Sequence, residues 1–78
     1  MNNVVVWSKD KCFYCHMAKN VLELKGIEFE ERNTSLNKWS RADMLEAVPD
    51  AKTFPQIFID DEHIGGFTEL QKYLKENL

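Results

Sequence analysis

The sequence lacks the features of secreted, membrane-spanning and nucleic-acid-binding proteins. Only two cysteines are present, Cys12 and Cys15, and a pair separated by two residues cannot cross-link distant segments as the cysteines of small secreted scaffolds do. No apolar run approaches the length of a membrane span, and the first residues lack the basic start and long apolar stretch of a signal peptide. The net charge of -3 disfavours a nucleic-acid partner, because phosphate binding requires a basic face. We therefore expect a cytoplasmic protein without a membrane or nucleic-acid partner.

The chain is short, but it contains enough apolar residues to fold. Its 78 residues leave no room for a second core, and a hydrophobic content of 44% with nine aromatic residues supports a compact structure. No internal repeat, linker or low-complexity tract divides the sequence. We therefore predict a single domain over residues 1–78, with any active site at the edge of its one core.

Hydrophobic periodicity predicts the elements of the first half. Residues 4–7 form a β-branched and aromatic run, which is typical of a strand buried on both faces. Apolar residues then recur at helical spacing from Phe13 to Leu24, and Gly26 predicts the C-terminal cap of this helix. Residues 27–30 alternate between apolar and acidic, which predicts a second strand with one wetter face.

A capping pattern predicts the second helix. Ser40 followed by Asp43 resembles a capping box, and Trp39 with Met44 forms a matching hydrophobic staple. We expect this helix to end before Pro49, because the residue that precedes a proline is disfavoured in the helical conformation.

The last third of the chain predicts a hairpin and a helix. Residues 56–59 and 62–64 read as short strands joined by an acidic turn at residues 60–61. Thr68 with Gln71 repeats the capping pattern and predicts a final helix. Its apolar stripe consists of Leu70, Tyr73 and Leu74. The resulting order, βαβαββα, predicts an α/β fold with a right-handed parallel crossover and a four-stranded mixed sheet that has helices on both faces.

The two cysteines lie where a helix begins directly after a strand, and this context indicates redox chemistry. A free thiol titrates near pKa ~8.5, whereas the positive end of a helix favours the thiolate. Lys9 and Lys11 add two cations, so we predict that they help to lower the pKa of Cys12. Cys15 lies one turn further on the same side, about 5–6 Å away between Cα atoms, which is within disulfide range. Cys12 is therefore the predicted nucleophile and Cys15 the resolving thiol.

A zinc site is the less favoured interpretation of the same cysteines. A closed zinc site needs four ligands, and His16 and His63 at best complete that number. His16 points off the helix at a different angle from Cys12. We therefore predict no metal site.

Three segments, in order along essentially the whole chain, resemble glutaredoxins. They are residues 9–15 (KDKCFYC), residues 53–59 (TFPQIFI) and residues 65–70 (GGFTEL). The resemblance implies a thioredoxin-like (glutaredoxin) fold and a glutathione-dependent reductase of protein disulfides and glutathione mixed disulfides. Glutathione is then a reducing co-substrate, and no cofactor is tightly bound.

The resemblance also implies a glutathione groove and assigns its residues. A cis peptide bond before Pro55 would present the backbone of Phe54 to glutathione, and the N–H groups of Phe67 and Thr68 would hold the γ-glutamyl carboxylate. Lys9 would meet the glycine carboxylate, and the hydroxyl of Thr68 would serve as helix cap, ligand or both. The full set is Lys9, Tyr14, Thr53, Phe54, Pro55, Gly66, Phe67, Thr68 and Glu69.

Phe13 departs from the family pattern, which most often has proline at this position, and it leaves alternatives open. The redox potential is unsettled by this change, and a dimer that carries a [2Fe–2S] cluster through Cys12 and glutathione is a rival function. A redoxin reduced by thioredoxin reductase and a pure interaction module are the others. We expect a monomer whose clients are disulfide-containing proteins, with the C-terminal dithiol of a ribonucleotide reductase as a natural example.

Overall fold

Seven secondary-structure elements follow one another in the predicted order. The structure is a computed structural model, and it describes residues 3–36 and 38–78. The elements are β1 (Val4–Ser8), α1 (Phe13–Leu24), β2 (Glu30–Asn33), α2 (Arg41–Ala47), β3 (Gln56–Ile59), β4 (Glu62–Gly65) and α3 (Phe67–Asn77). In the described part of the chain, no helix is long and apolar enough to cross a membrane.

The four strands form one mixed sheet in the order β2-β1-β3-β4. β1 is parallel to β2, as the predicted crossover requires, and antiparallel to β3. β3 and β4 form an antiparallel hairpin. Its turn is the predicted acidic pair, and both Asp60 and Asp61 adopt positive φ angles, of 52° and 68°. Such angles are typical of tight hairpin turns that match the twist of the strands.

The sheet is covered on both faces, as predicted, because β1 has no polar face. Val4 and Val6 point into a cluster formed with helices α1 and α3, whereas Val5 and Trp7 point into a second cluster with α2. The first cluster also contains Ala18, Leu22, Ile57, Ile59, Leu70 and Leu74, and the second contains Met44, Val48 and Ala51. The strand that leads directly to the cysteines is therefore fixed from both sides.

The predicted second strand was placed wrongly, at residues 27–30 instead of Glu30–Asn33. Gly26 ends α1 with a φ of +69°, and the N–H groups of Gly26 and Ile27 donate to the carbonyls of Glu23 and Leu22. This bonding pattern is that of a Schellman motif, which accounts for the predicted glycine cap. Ile27 and Phe29 pack against the core without strand pairing. The alternating apolar residues therefore pack on the core after the helix ends, and hydrogen-bonded pairing with β1 begins only at Glu30.

The second helix begins as predicted, but the third does not. Ser40 and Asp43 form the reciprocal bonds of a capping box, and Trp39 packs against the cluster that contains Met44. α3 instead begins one residue after Gly66, so that the predicted cap, Thr68, already lies inside the helix.

The side chain of Glu69 supplies one half of a capping box at the start of α3, because the N-cap residue Gly66 has no side chain. Its Oε1 accepts from the N–H of Gly66 at 2.8 Å. A carboxylate three residues into the helix therefore forms the N3 half of a capping box, and among the described residues no side chain accepts from the first N–H groups of the helix, as the predicted hydroxyl would have done.

Candidate active site

The loop between β1 and α1 places Cys12 at the N-terminus of the helix. Lys11 turns the chain with a φ of +55°, and Cys12 is the extended N-cap residue of α1. Cys12 and Cys15 are joined by a disulfide, with their Cα atoms 5.3 Å apart, as the helical spacing predicted. Cys12 Sγ also accepts from the N–H of Cys15 at 3.3 Å. The helix therefore directs an N–H donor at this sulfur.

The two sulfurs differ in their access to solvent. Cys15 is buried, with 1% of its surface exposed, whereas Cys12 is only partly buried. An incoming disulfide can therefore reach Cys12 more easily, which agrees with its predicted role as the attacking thiol.

Both predicted cations lie beside the disulfide. Lys9 and Lys11 are exposed, and together with Cys12 and Cys15 they line a depression of about 530 Å³. Lys19, one turn along α1, lines it as well. Asp10 also lines the depression, and Lys19 is paired with Glu31. Lys9 and Lys11 are therefore the cations that favour a thiolate here, and as exposed charges they are screened by salt.

A second, smaller depression gathers eight of the nine residues predicted to bind glutathione. Its volume is about 190 Å³. Its walls are formed by Tyr14, Thr53, Phe54, Pro55, Gly66, Phe67, Thr68 and Glu69, and we call it the groove. The ninth residue, Lys9, is adjacent, because its Nζ lies 5.4 Å from the centroid of the Phe54 ring.

One wall of the groove is the segment before β3. The peptide bond between Phe54 and Pro55 is cis, as the resemblance implied, and Pro55 is fully buried. The Phe54 side chain packs against the cluster of Met44 and Trp7 beneath α2. This packing anchors the segment through its side chain.

The opposite wall is the start of α3, where Gly65 leaves room for the side chain of Glu69 and Gly66 lets the backbone approach Pro55 in the first wall. Gly65 has a φ of +125°, and a Cβ there would lie 2.8 Å from Cγ of Glu69. A Cβ on Gly66 would lie 3.4 Å from both the carbonyl oxygen of Pro55 and Oε1 of Glu69. The first residues of α3, Phe67 and Thr68, have no intrahelical acceptor for their N–H groups. These donors lie in the wall of the groove.

Comparison with known proteins agrees with this geometry. The family model for glutaredoxin matches residues 4–64. The chain belongs to the glutaredoxin family. It is 43% identical over 70 residues to Glutaredoxin 3 of Escherichia coli (strain K12), covering 90% of this chain and 83% of that protein. It is 37% identical over 81 residues to a glutaredoxin of Vibrio cholerae, covering 96% and 93%.

Solved glutaredoxin structures share the fold. Glutaredoxin 1 from Francisella tularensis superposes with a TM-score of 0.81 at 34% identity, covering 95% of this chain and 93% of that one. A buckwheat glutaredoxin–glutathione complex superposes with a TM-score of 0.80 at 26% identity, covering 96% and 70%. The fold is thus thioredoxin-like. Family membership and the bonded CxxC pair together identify a thiol–disulfide oxidoreductase.

An aromatic row at the mouth of the groove was only partly predicted. The Tyr14 ring lies 5.9 Å from that of Phe67 and 5.3 Å from that of Phe13, measured between centroids. Phe13 is 67% exposed, so the residue that departs from the family pattern presents its ring to solvent beside Cys12. The predicted apolar stripe from Phe13 to Leu24 was wrong at both ends, because these residues lie at the two ends of α1 and Leu24 is also exposed, whereas the buried residues of the helix are Cys15, Ala18 and Leu22.

Sequence reasoning missed a hydrogen-bonded cluster between α1 and β2. Oε2 of Glu31 accepts from Lys19 Nζ and from Ser8 Oγ, both at 2.7 Å. Partial burial raises the pKa of Glu31, but the bonds from Lys19 and Ser8 outweigh it and leave the pKa below its ordinary value. The cluster ties the end of β1 to the helix that carries the cysteines.

Only one of the two histidines lies near the cysteines, because His16 lines the depression that contains Cys12 and Cys15. His16 is exposed, and His63 lies on β4, where Nε2 is 2.7 Å from Oε1 of Gln56. Among residues 3–36 and 38–78, no group of three or more His, Cys, Asp or Glu side chains is arranged to hold a metal ion.

Proposed function

We propose that this chain is a glutathione-dependent oxidoreductase that reduces protein disulfides and glutathione mixed disulfides through Cys12 and Cys15. The observation that carries the proposal is the groove beside the disulfide. It combines an anchored backbone segment at Phe54, the donor-rich start of α3 and a lysine at its rim. These are the groups that a tripeptide with two carboxylates requires.

Each part of glutathione has a complementary group. The backbone of Phe54 pairs with the cysteine residue of glutathione in a short β-like ladder. The γ-glutamyl carboxylate lies at the N-terminus of α3, where the helix dipole and the N–H groups of Phe67 and Thr68 favour an anion. Lys9, already above the Phe54 ring, reaches the glycine carboxylate. Glu69 holds the N–H of Gly66 and adds negative charge near the ammonium of the γ-glutamyl group.

The reaction on a glutathione mixed disulfide needs only Cys12. Its thiolate attacks the glutathione sulfur, a bond from Cys12 Sγ to that sulfur forms, and the client leaves as a thiolate that takes up a proton. The thiolate of a second glutathione attacks the bound glutathione sulfur. Glutathione disulfide leaves, and the Cys12 thiolate is restored.

On a protein disulfide the second cysteine takes part. Cys12 first forms a mixed disulfide with the client, and the Cys15 thiolate then attacks Cys12 Sγ and releases the client's second thiolate. The product is the Cys12–Cys15 disulfide seen in the structure. Two glutathione molecules reduce it and leave as glutathione disulfide, so the two electrons gained by the client come from glutathione.

The same chemistry supports our proposals for the location, oligomeric state and clients of the protein. The protein acts in the cytoplasm as a monomer, without a tightly bound cofactor, on clients with reachable disulfides, such as the oxidised form of the C-terminal dithiol of a ribonucleotide reductase. Glutaredoxin potentials of roughly −200 to −230 mV allow the glutathione pool to drive such reductions.

The experiment is glutathione-coupled reduction of a small glutathione mixed disulfide by the wild type and by Cys12→Ser. We expect turnover that depends on glutathione and disappears in Cys12→Ser. Turnover that persists without Cys12 would refute the assignment. The visible absorbance of freshly purified protein separates this function from cluster carriage, since a [2Fe–2S] centre is coloured and a dithiol is not.

A further inference from the structure

We propose that His63 is a positioning residue for the groove, acting through Gln56 on the peptide group between Thr53 and Phe54. The inference rests on the proposed function, because it concerns how the Phe54 backbone is held for glutathione. His63 does not line the groove. It acts on the groove through the side chain of Gln56, whose surface is 7% exposed.

Gln56 bridges the two residues with both ends of its amide. Its Nε2 donates to the carbonyl oxygen of Thr53 at 3.0 Å, and its Oε1 lies 2.7 Å from Nε2 of His63. A weaker contact joins Nε2 to the hydroxyl of Thr53 at 3.4 Å. The chain of bonds therefore runs from an exposed imidazole on β4 to the backbone of the groove wall.

The donors and acceptors in this chain have one consistent assignment. The carbonyl of Thr53 can only accept, so the NH₂ group of the Gln56 amide must face it. The amide oxygen then faces His63 and can only accept, so Nε2 of His63 must carry a proton. Both the neutral imidazole with its proton on Nε2 and the imidazolium satisfy this requirement. The link is therefore a fixed structural bond and does not depend on a change of charge.

Because the peptide group is planar, the hydrogen bond from Gln56 to the Thr53 carbonyl also affects the groove. The carbonyl of Thr53 and the N–H of Phe54 belong to the same rigid peptide group and point in opposite directions. Holding the carbonyl toward Gln56 therefore sets the direction of the Phe54 N–H, which is the donor proposed to meet glutathione. Thr53 and Phe54 lie outside helix and strand, so no strand ladder fixes this plane.

The hairpin explains why His63 can reach across. His63 on β4 faces Phe58 on β3, and their ring centroids are 5.1 Å apart. Gln56 lies two residues from Phe58, on the same face of the sheet. Diagonal neighbours of this kind are within reach of long side chains. The hairpin leads directly into Gly66 and α3. β4 therefore contributes to both walls of the groove. It leads into the start of α3, and through His63 it holds the segment before β3.

The test compares His63→Phe, Gln56→Leu and the double variant with the wild type. Phenylalanine keeps a ring over Phe58 but cannot donate, and leucine removes both bonds. We expect either single variant to raise the KM for glutathione about three- to tenfold, the range for one hydrogen bond. The double variant should go no further than Gln56→Leu, since both changes break one chain of bonds. His63→Gln restores a donor and should recover part of the loss.

Controls separate positioning from general damage. The kcat at saturating glutathione and the rate of Cys12 alkylation by iodoacetamide should stay at wild-type values. Glu62→Ala, an exposed change on the same strand, should leave the KM unchanged. An unchanged KM in His63→Phe, additive effects in the double variant, or a parallel loss of alkylation would overturn the inference.

A second measurement needs no glutathione. The backbone ¹⁵N order parameter of Phe54 in the oxidised protein, from NMR relaxation, should be lower in His63→Phe and Gln56→Leu than in Glu62→Ala, and equal values would overturn the inference. If the turnover of the wild type does not depend on glutathione, the proposed function fails. The order parameter of Phe54 then decides by itself whether His63 orders this segment.

Discussion

The cap of α3 gives a prediction that reverses the expectation from sequence. Thr68 is exposed, and within the described residues its hydroxyl has no hydrogen-bond partner, whereas Glu69 accepts from the N–H of Gly66 at 2.8 Å. Loss of one hydrogen bond typically costs about 1 kcal/mol, and loss of a carboxylate in the first turn costs a further few tenths of a kcal/mol. Alanine returns part of this through its higher helix propensity. We therefore expect Glu69→Ala to lower the free energy of unfolding by about 1 kcal/mol.

Thermal unfolding of the oxidised proteins measures this difference. For a domain of this size, about 1 kcal/mol corresponds to a fall in Tm of about 4–8 °C. Thr68→Val, which keeps the β-branched shape and removes only the hydroxyl, should stay within ~0.5 kcal/mol of the wild type. If Thr68→Val lowers the Tm as much as Glu69→Ala does, the hydroxyl is the cap and the assignment of Glu69 is wrong.

The other predictions concern the cysteines and the charges around them. Cys15→Ser should keep activity on glutathione mixed disulfides but lose much of it on protein disulfides, and equal losses on both substrates would contradict the division of roles with Cys12. In the reduced protein, Cys12 should be alkylated at pH 6 far faster than a free thiol, and replacing Lys9 and Lys11 together by glutamine should slow this modestly, since exposed charges are screened. Because the folded-state pKa of Glu31 is lowered, its charge contributes stability that is present above the ordinary glutamate value of about 4.3 and is lost as the pH falls through the folded-state pKa. Glu31→Gln should therefore cost up to about 1 kcal/mol at pH 7 and less at pH 3, and urea unfolding at the two pH values measures the difference.

The elements that sequence predicted well are those in which one physical effect dominates. β1 and β3 are short β-branched runs that sit in the centre of the sheet, and Ser40 with Asp43 forms a local capping box. β2 was misplaced because alternation at Ile27 and Phe29 reflects packing after a helix end, while the paired residues are polar and lie at the edge of the sheet. An alternating pattern of apolar residues indicates which side chains are buried, but a buried segment need not pair with a neighbouring strand.

Some residues of the candidate site could also be predicted from the sequence, and others could not. Its groove residues follow from three segments whose order along the chain is typical of the family, and the structure gathers all but Lys9 in one depression. The bonds from His63 to Gln56 and on to Thr53 could not be predicted, because they depend on a diagonal contact across a hairpin with an irregular register. The hydrogen bond between Glu69 and Gly66 was not predicted either, because Thr68 with Gln71 matched the usual sequence pattern of a capping box.

The central claim is that glutathione occupies the groove and reduces this protein. The most direct measurement is the apparent KM for glutathione in the coupled assay, for the wild type and Thr68→Val, with thioredoxin reductase tested in parallel as the reductant. We expect efficient turnover with millimolar glutathione, and a KM up to about tenfold higher in Thr68→Val because one hydrogen bond to the γ-glutamyl carboxylate is lost. Efficient reduction of the wild type by thioredoxin reductase, with none by millimolar glutathione, would contradict the claim.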